Sequence, residues 1–160
     1  MEILLRNLDP DDLGWVSEIL IEAWASTRVV SRGKMHNADQ LPGIVAEINE
    51  ERVGILTYNI TSPDLEIVTL NVLSEREGIG TRLVERAEQI ARIKNCSRIW
   101  VITTNDNTGA ISFYETLGFK IAAVHYNAIE YSRRLKPEIP LTGIKGIPIT
   151  DEIELEKILD

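Results

Sequence analysis

The hydrophobic positions in the first third of the chain predict a strand, a helix and a hairpin. Residues Ile3 to Arg6 form a short β-rich run that closes at Asp9-Pro10. Residues Ser26 to Leu41 carry no clear period, so we expect a loop or a weak helix there. Gly43 to Ile48 and Val53 to Tyr58 flank a polar turn, which predicts a β-hairpin. Between the first strand and the patternless segment, hydrophobic residues recur at the spacing of one helix face: Leu13, Val16, Ile19, Leu20, Ala23 and Trp24.

The middle of the chain predicts strand, helix, strand and helix in turn. Leu65 to Leu73 is a strand candidate, and a glycine-containing turn after it opens an amphipathic helix. The continuous apolar centre of Arg98 to Thr104 is typical of a strand buried on both faces of a parallel sheet, which would place Trp100 in the core. A polar segment that ends at Asn107 caps the start of the next helix, and Gly118 ends that helix.

The last 40 or so residues predict a hairpin followed by an extension. Phe119 to Val124 and Ile129 to Leu135 are the hairpin strands, and residues 136–160 form a proline-containing extension with a short acidic helix from Asp151 to Leu159. The whole pattern predicts one α/β domain over residues 1–135. Its mixed sheet has a central right-handed parallel strand–helix–strand crossover, flanking antiparallel strands and helices on both faces.

The net charge of the chain bears on which classes of binding partner to expect. Seventeen Lys and Arg residues against twenty-five Asp and Glu residues give a net charge of −8. A nucleic-acid binder needs a basic footprint, so we expect no nucleic-acid partner. An acidic protein suits a cationic small substrate, although acidity also serves solubility.

Few residues are available for metal or disulfide chemistry. The single cysteine, Cys96, excludes an internal disulfide and a cysteine-rich zinc site, and we expect it to be buried. Two histidines, His36 and His125, are too few for a histidine-based metal site; we expect no metal and place both on the surface, with His125 at the rim of a site as the less favoured alternative. The charged start of the chain is unlike a signal peptide, and no apolar run approaches about 18 residues, so we expect a cytoplasmic protein without membrane contact.

The glycine turn Gly78-Ile79-Gly80-Thr81 lies between a strand and a helix. Exposed backbone N–H groups and the positive helix end would favour a phosphate there, but a tight turn that binds nothing explains the same residues. Two nucleotide motifs fail at this turn. Leu83 stands where the dinucleotide fingerprint has Gly or Ala, and Arg82 does not continue a P-loop.

A second motif runs from Asn107 to Phe119. A capped amphipathic helix with a core aromatic at Tyr114 explains its apolar residues. It leaves the polar run from Thr103 to Asn107 only partly explained, and this run lies at the carboxyl end of a strand, where open α/β sheets bind ligands.

At these two motifs the chain resembles the GNAT superfamily of acyl-CoA-dependent N-acetyltransferases. The family's glycine motif falls on Glu75 to Gly80, and its Asn-x-x-Ala-x-x-Phe-Tyr-x-x-x-Gly-Phe pattern is met in full from Asn107 to Phe119. The resemblance extends over roughly Ile3 to Leu135 and is densest from Glu66 to Phe119. It therefore implies a GNAT-like sheet.

The resemblance also implies a site for acetyl-CoA. The strand from Leu65 would splay from the strand at Arg98, and the pantetheine arm would bond to the backbone of Leu70 and Val72. The pyrophosphate would lie on the turn, at Gly78, Ile79, Gly80 and Thr81. The residue matching the family's asparagine, Asn107, would contact the CoA arm, and Tyr114 would be the general acid for the thiolate.

The roles of Glu75 and Glu66 in the expected site do not follow directly from the family's motifs. Glu75 stands where the family has Arg or Gln, and we expect it to point away from the pyrophosphate, with Arg76 or Arg82 as its partner. Glu66, at the start of the splayed strand, is the candidate general base, and a purely structural strand-end glutamate is the alternative. Asn71, of opposite strand parity, is a second candidate to face the cleft.

The interpretation that follows is an N-acetyltransferase that moves an acetyl group from acetyl-CoA to a primary amine by direct attack. The acceptor is an amine-bearing small molecule or protein. Whether the chain forms a homodimer is left undecided by the sequence. A non-catalytic acyl-CoA-binding or sensing module is the alternative. No covalent enzyme intermediate is needed, because a base, oxyanion donors and an acid suffice for direct attack.

Overall fold

The computed structural model describes residues 2–24, 26–74 and 78–160, and in this part of the chain it has four α-helices and nine β-strands. The helices are α1 (Leu13–Trp24), α2 (Ile79–Ile93), α3 (Thr108–Thr116) and α4 (Ala128–Leu135). The strands are β1 (Leu4–Asn7), β2 (Arg28–Ser31), β3 (Lys34–Asn37), β4 (Gly43–Ile48), β5 (Glu51–Thr61), β6 (Asp64–Val72), β7 (Arg98–Thr104), β8 (Lys120–His125) and β9 (Glu152–Ile158). Short 3₁₀ helices occupy Pro10–Asp12, Ala38–Gln40 and Ile144–Gly146.

Seven strands form one mixed sheet in the order β1-β4-β5-β6-β7-β9-β8. Strands β6 and β7 are parallel and are joined through α2, whereas the other neighbours in this sheet are antiparallel. The mixed sheet with a central parallel crossover and flanking antiparallel strands is therefore confirmed. Strands β2 and β3 form a separate antiparallel hairpin.

Each face of the sheet carries its own hydrophobic cluster. On one face, Leu83 and Ala87 of α2 pack with Ile67 of β6 and Leu155 of β9. On the other face, α1 packs against β4 and β5 through the fully buried side chains of Val16, Leu20, Val45 and Ile55. Helices on both faces were predicted, and the structure confirms them. We call the first face the α2 face and the second the α1 face.

The segment from Ser26 to Leu41 is a hairpin, so the prediction of a loop or weak helix is wrong. Strands β2 and β3 have four residues each and are joined at Arg32 and Gly33, whose φ angles are 50° and 75°. Two successive positive φ angles are typical of a type I′ hairpin turn. Arg-Gly is a weak signal for that turn, and strands this short show little alternation.

The carboxyl-terminal part differs most from its prediction. Residues 128–135 are the helix α4 and not a hairpin strand, and the short acidic helix predicted from Asp151 to Leu159 is the strand β9. Glutamates at 152, 154 and 156 alternate with the buried Ile153 and Leu155, which is the period of a strand. Because β9 lies between β7 and β8, residues 152–158 belong to the interior of the sheet.

Strand β7 is buried on its α2 face only. Ile99 and Val101 are buried, but Trp100 is half-buried on the α1 face, with the Arg98 guanidinium carbon 5.1 Å from its ring centre. The prediction of a strand buried on both faces, with Trp100 in the core, is wrong because the neighbouring strand β9 lines that face with glutamates. Cys96 is buried, as predicted.

Candidate active site

Strands β6 and β7 separate partway along their length. They pair from Asp64 and Arg98 as far as Ile67 and Val101, although β6 continues to Val72 and β7 to Thr104. Beyond that point each strand stays paired on its outer side, β6 with β5 and β7 with β9. A wedge-shaped gap therefore opens between residues 68–72 and residues 102–104, and we call it the β6–β7 gap.

A β-bulge in β6 accompanies the separation. In the pairing with β5, Thr57 lies opposite Thr69 and Tyr58 lies opposite Ile67, so Val68 is an extra residue. Bulges bend a strand and increase its twist, which gives a physical reason for β6 to leave β7 at this position.

The bulge also changes which side chains share a face. Glu66, Thr69 and Asn71 lie opposite Asn59, Thr57 and Ile55 of β5, and all three therefore project to the α1 face. The expectation that Asn71 has the opposite parity from Glu66 is wrong, because the extra residue between them reverses the alternation. The Asn71 side-chain oxygen is buried and has no hydrogen-bond partner in the described residues.

The backbone of β6 directs N–H donors toward the gap. The N–H of Leu73 donates to the Val53 carbonyl over 2.8 Å, so it faces β5. Because successive N–H groups of a strand point to opposite edges, those of Val72 and Leu70 face the gap, where β7 no longer accepts them. The Leu70 side chain packs on the α2-face core, and that of Val72 is exposed.

Helix α2 begins at the glycine turn. Gly78 is the N-cap residue with φ 92°, a conformation that favours glycine, and no side chain caps the helix there. The first N–H groups of a helix have no acceptor within the helix, so Ile79, Gly80 and Thr81 present theirs at the positive helix end. Glu75 and Arg76 lie outside the described residues, and with them the expectation for Glu75.

Two residues of the turn also serve packing. The Ile79 side chain is fully buried in the α2-face core. A Cβ at Gly80 would lie 3.3 Å from the Phe113 ring of α3, so glycine there allows the two helices to approach closely. Ile79 and Gly80 thus join the turn to the packed core behind it.

Helix α3 carries the second motif. The Asn107 side-chain oxygen accepts a hydrogen bond from the Ala110 N–H over 3.1 Å, which makes Asn107 the N-cap and leaves its amide N–H groups available. Tyr114 is buried, and its ring meets those of Phe113 and Phe119 at centroid distances of 5.1 and 5.3 Å. Burial raises the pKa of Tyr114 above its ordinary value, so this phenol keeps its proton at neutral pH.

Glu66 is buried on the α1 face beneath the β2–β3 hairpin. One carboxylate oxygen accepts a 2.6 Å hydrogen bond from the Ser31 hydroxyl, and the other lies 3.5 Å from Nε2 of His36. The His36 side chain is only 3% exposed, so the expectation of a surface histidine is wrong. Among the described residues, Nε2 of His36 has no hydrogen-bond partner.

Glu152 of β9 is a second buried carboxylate on the same face, and the sequence reasoning missed it. Its side chain is 2% exposed. It receives a long hydrogen bond of 3.4 Å from the Arg32 N–H, and the Arg32 guanidinium lies 3.7 Å away. Burial raises the pKa of Glu152, and the like charge of Glu66 raises it further, against the opposing charges of Arg32 and His125.

Glu154, two residues along β9, has strong partners. His125 bonds to it over 2.9 Å and Arg98 donates to it as well. These bonds lower the pKa of Glu154 although burial opposes the change. The alternation of glutamates with apolar residues at 152–156 is the signal that could have placed all of them on one face of a strand.

Within the described ranges, no three or more His, Cys, Asp or Glu side chains are arranged to hold a metal ion. None of the helices in the same ranges has both the length and the apolar character of a membrane span.

The fold has many structural neighbours among acetyltransferases. The chain superposes on an IAA acetyltransferase from Bacillus cereus ATCC 14579 with a TM-score of 0.73 at 19% identity, over 99% of this chain and 100% of the other. A GNAT family acetyltransferase from Elizabethkingia anophelis with acetyl-CoA bound gives a TM-score of 0.71 at 21% identity, over 98% of both chains. At these identities the likeness shows the fold.

Sequence comparison identifies the family. The model of the acetyltransferase (GNAT) family matches residues 10–119. The chain is also 41% identical over 147 residues to the uncharacterized protein YdhI of Bacillus subtilis (strain 168), covering 91% of both chains. This chain therefore belongs to the GNAT acetyltransferase family.

Proposed function

We propose that this protein transfers an acetyl group from acetyl-CoA to a primary amine, which attacks the thioester directly. The observation that carries the proposal is the β6–β7 gap, toward which strand alternation directs the backbone N–H groups of Leu70 and Val72, with a glycine turn at the start of the connecting helix. Family membership and the CoA or acetyl-CoA bound to structural neighbours support it.

The residues around the gap suit the parts of acetyl-CoA, which supplies the acetyl group as an activated thioester. The backbone of Leu70 and Val72 would hold the amide-rich pantetheine arm. The N–H groups of Gly78, Ile79, Gly80 and Thr81 would hold the pyrophosphate, since free N–H groups and the helix dipole favour an anion. The amide of Asn107, next to the gap at the start of α3, would donate to the arm.

Two side chains supply proton transfer in this proposal. Glu66 takes the proton from the attacking amine, directly or through water, because an amine of pKa about 10.4 is mostly protonated at neutral pH. Tyr114 gives a proton to the departing thiolate, and with a pKa raised by burial its phenol is protonated at neutral pH. Backbone N–H groups at the gap stabilise the oxygen that becomes negative during attack.

Binding of acetyl-CoA is the first test. A hundredfold excess over Kd should stabilise the folded protein by about 2.7 kcal/mol, seen as a rise in Tm. Gly80→Asp should abolish the rise, because it places a negative charge at the pyrophosphate position. Gly80→Ala is the matched control, since it brings the same Cβ against Phe113 without the charge. Absence of any shift in the wild-type protein at millimolar acetyl-CoA contradicts the proposal.

Catalysis is tested by release of free CoA thiol. Tyr114→Phe should lower kcat by about 10²- to 10⁴-fold and leave acetyl-CoA affinity unchanged. Tyr58→Phe is the control, because Tyr58 is a partly buried tyrosine of β5 that packs on the same core. Acetyl-CoA binding without acceptor-dependent thiol release would favour the non-catalytic binding module.

A further inference from the structure

The turn of the β2–β3 hairpin connects two buried carboxylates that lie on different strands. Ser31 bonds to Glu66 of β6, and the next residue, Arg32, contacts Glu152 of β9. Adjacent residues of one turn thus bring both carboxylates to one place on the α1 face. The charge of Glu66 acts on the pKa of Glu152, which agrees with their proximity.

The positive charges nearby do not saturate this pair. The Arg32 guanidinium is 42% exposed and lies 3.7 Å from Glu152 and 3.9 Å from Glu154, beyond good hydrogen-bond distance in both cases. Arg98 is engaged by Asp64, Glu154 and Glu156. An ionised carboxylate can accept about four hydrogen bonds, and the described residues give Glu152 a single long one.

His36 is an independent sign of a missing partner. Its Nε2 atom is buried, has no hydrogen-bond partner in the described part of the chain, and lies 3.5 Å from Glu66 on the side away from the Ser31 bond. Buried polar groups are normally hydrogen-bonded, so an unpartnered one beside the buried carboxylate of Glu66 indicates that a ligand completes the cluster.

We propose that Glu66, Glu152 and His36 form the acceptor subsite, and that it takes a small primary amine bearing a second positive charge. This inference rests on the proposed acetyl transfer. The ammonium groups of such an acceptor donate the hydrogen bonds that the carboxylates lack and supply the missing positive charge. An acceptor with its own carboxylate is excluded by repulsion from Glu66 and Glu152 in a buried setting.

Three amines with the same carbon chain test the selectivity: 1,4-diaminobutane, n-butylamine and 4-aminobutanoate. With acetyl-CoA saturating, kcat/KM for the diamine should exceed that for butylamine by at least about tenfold. The diamine has two equivalent amines, which by themselves account for only a twofold difference. The poorest acceptor of the three should be 4-aminobutanoate. Equal values for the three amines, or a preference for the zwitterion, would overturn the inference.

The variant Glu152→Gln removes one charge of the pair and keeps its size. It should reduce the diamine-to-butylamine ratio toward about twofold, mainly through KM for the diamine. Glu156→Gln is the matched control, because Glu156 lies on the same face of β9 but is held by Arg98. A ratio that is unchanged in Glu152→Gln, or lowered equally in Glu156→Gln, counts against the subsite.

A binding measurement separates this inference from the proposed function. The His36 ring resonances, followed by NMR with and without CoA, should shift on titration with 1,4-diaminobutane and not with 4-aminobutanoate. If acetyl-CoA binds but the ring does not respond, the subsite is wrong and the acetyl-CoA site stands. If the ring responds in protein that does not bind acetyl-CoA, the proposed function fails while the amine subsite is supported.

Discussion

Two fully buried carboxylates, Asp12 and Glu152, stand in opposite electrostatic situations. Arg6 donates to both oxygens of Asp12 over 2.7 and 2.8 Å, Arg52 donates over 2.9 Å, and the Asp9 N–H adds a fourth bond of 2.9 Å. These bonds lower the pKa of Asp12 to about 2. From the described residues Glu152 receives one bond of 3.4 Å, and burial raises its pKa.

The contrast shows that burial alone does not identify a functional carboxylate. Asp12 uses its acceptor capacity within the protein, where it ties the start of α1 to β1 and β5, so it has nothing left to offer a ligand. Glu152 and Glu66 retain unused capacity, which costs stability in the free protein and is available to a cationic partner. The number and length of the donors distinguish a structural carboxylate from a binding one.

Among the changes that test this contrast between buried carboxylates, the largest effect is expected at Glu66. Glu66→Gln keeps the hydrogen bond from Ser31 but cannot take a proton, so kcat at neutral pH should fall by about 10²- to 10³-fold. Part of the loss should return at higher pH, where more of the acceptor amine is already neutral. The pH–rate profile of CoA thiol release measures this. A loss that is the same at every pH, accompanied by a lower Tm, would assign Glu66 a structural role instead.

A smaller effect, on stability alone, is expected at Asp12. Asp12→Asn removes the charge that Arg6 and Arg52 share, and it should lower the free energy of unfolding by about 2 kcal/mol at neutral pH. Urea denaturation measures this, with Asp11→Asn as the control because Asp11 is exposed. Thiol release by the folded variant should be unchanged. A large loss of turnover in protein that is still folded would break the distinction between the two clusters.

The same carboxylate predicts a pH dependence of stability. The pKa of Asp12 is lowered in the folded protein from 3.8 to about 2, so the unfolded chain binds the proton more tightly. The stabilisation is therefore complete above the ordinary pKa and is lost as the pH falls toward the folded value. The wild-type protein should lose stability in this window more steeply than Asp12→Asn, as urea midpoints at several pH values would show. Parallel curves for the two proteins would contradict the assignment.

The smallest effect, of opposite sign, is expected at Glu152. Its raised pKa means that the folded protein binds the proton more tightly, so its contribution to stability falls as the pH rises through the folded value. Glu152→Gln resembles the protonated form and should raise the free energy of unfolding at neutral pH by up to about 1 kcal/mol. The gain should disappear in acid, and Glu156→Gln should not show it. A destabilised Glu152→Gln at neutral pH would mean that the carboxylate is satisfied in the folded protein.

Much of the fold was predictable because it depends on local patterns. The helix face of α1, the β4–β5 hairpin and the strands β6 and β7 follow from short-range periodicity. Gly78 and Asn107 lie at helix N-termini, where their backbone or capping preferences place them. Family recognition at these two motifs added the splayed strands, which periodicity alone does not predict.

The candidate acceptor subsite was not predictable in this way. The sequence around His36 has no clear hydrophobic period that would indicate burial, and the side chain is buried only because the hairpin folds over Glu66. Glu152 was assigned to an acidic helix because a run of glutamates at the end of a chain resembles a solvated face. The Val68 bulge, which sets the face of Asn71, leaves no composition signal.

The sequence by itself determined the order of the elements up to α3, the glycine turn, the capped helix with Tyr114 and the membership of a family that transfers acetyl groups. These features depend on residues within a few positions of one another, and hydrophobic period, caps and motifs record such neighbours directly. The tertiary structure alone decided that β9 returns to the interior of the sheet and that the β2–β3 hairpin covers the α1 face. Ser31 meets Glu66 there across 35 residues of the chain, and Arg32 meets Glu152 across 120. No local pattern encodes such contacts, because burial and charge at each residue are set by whatever segment packs against it.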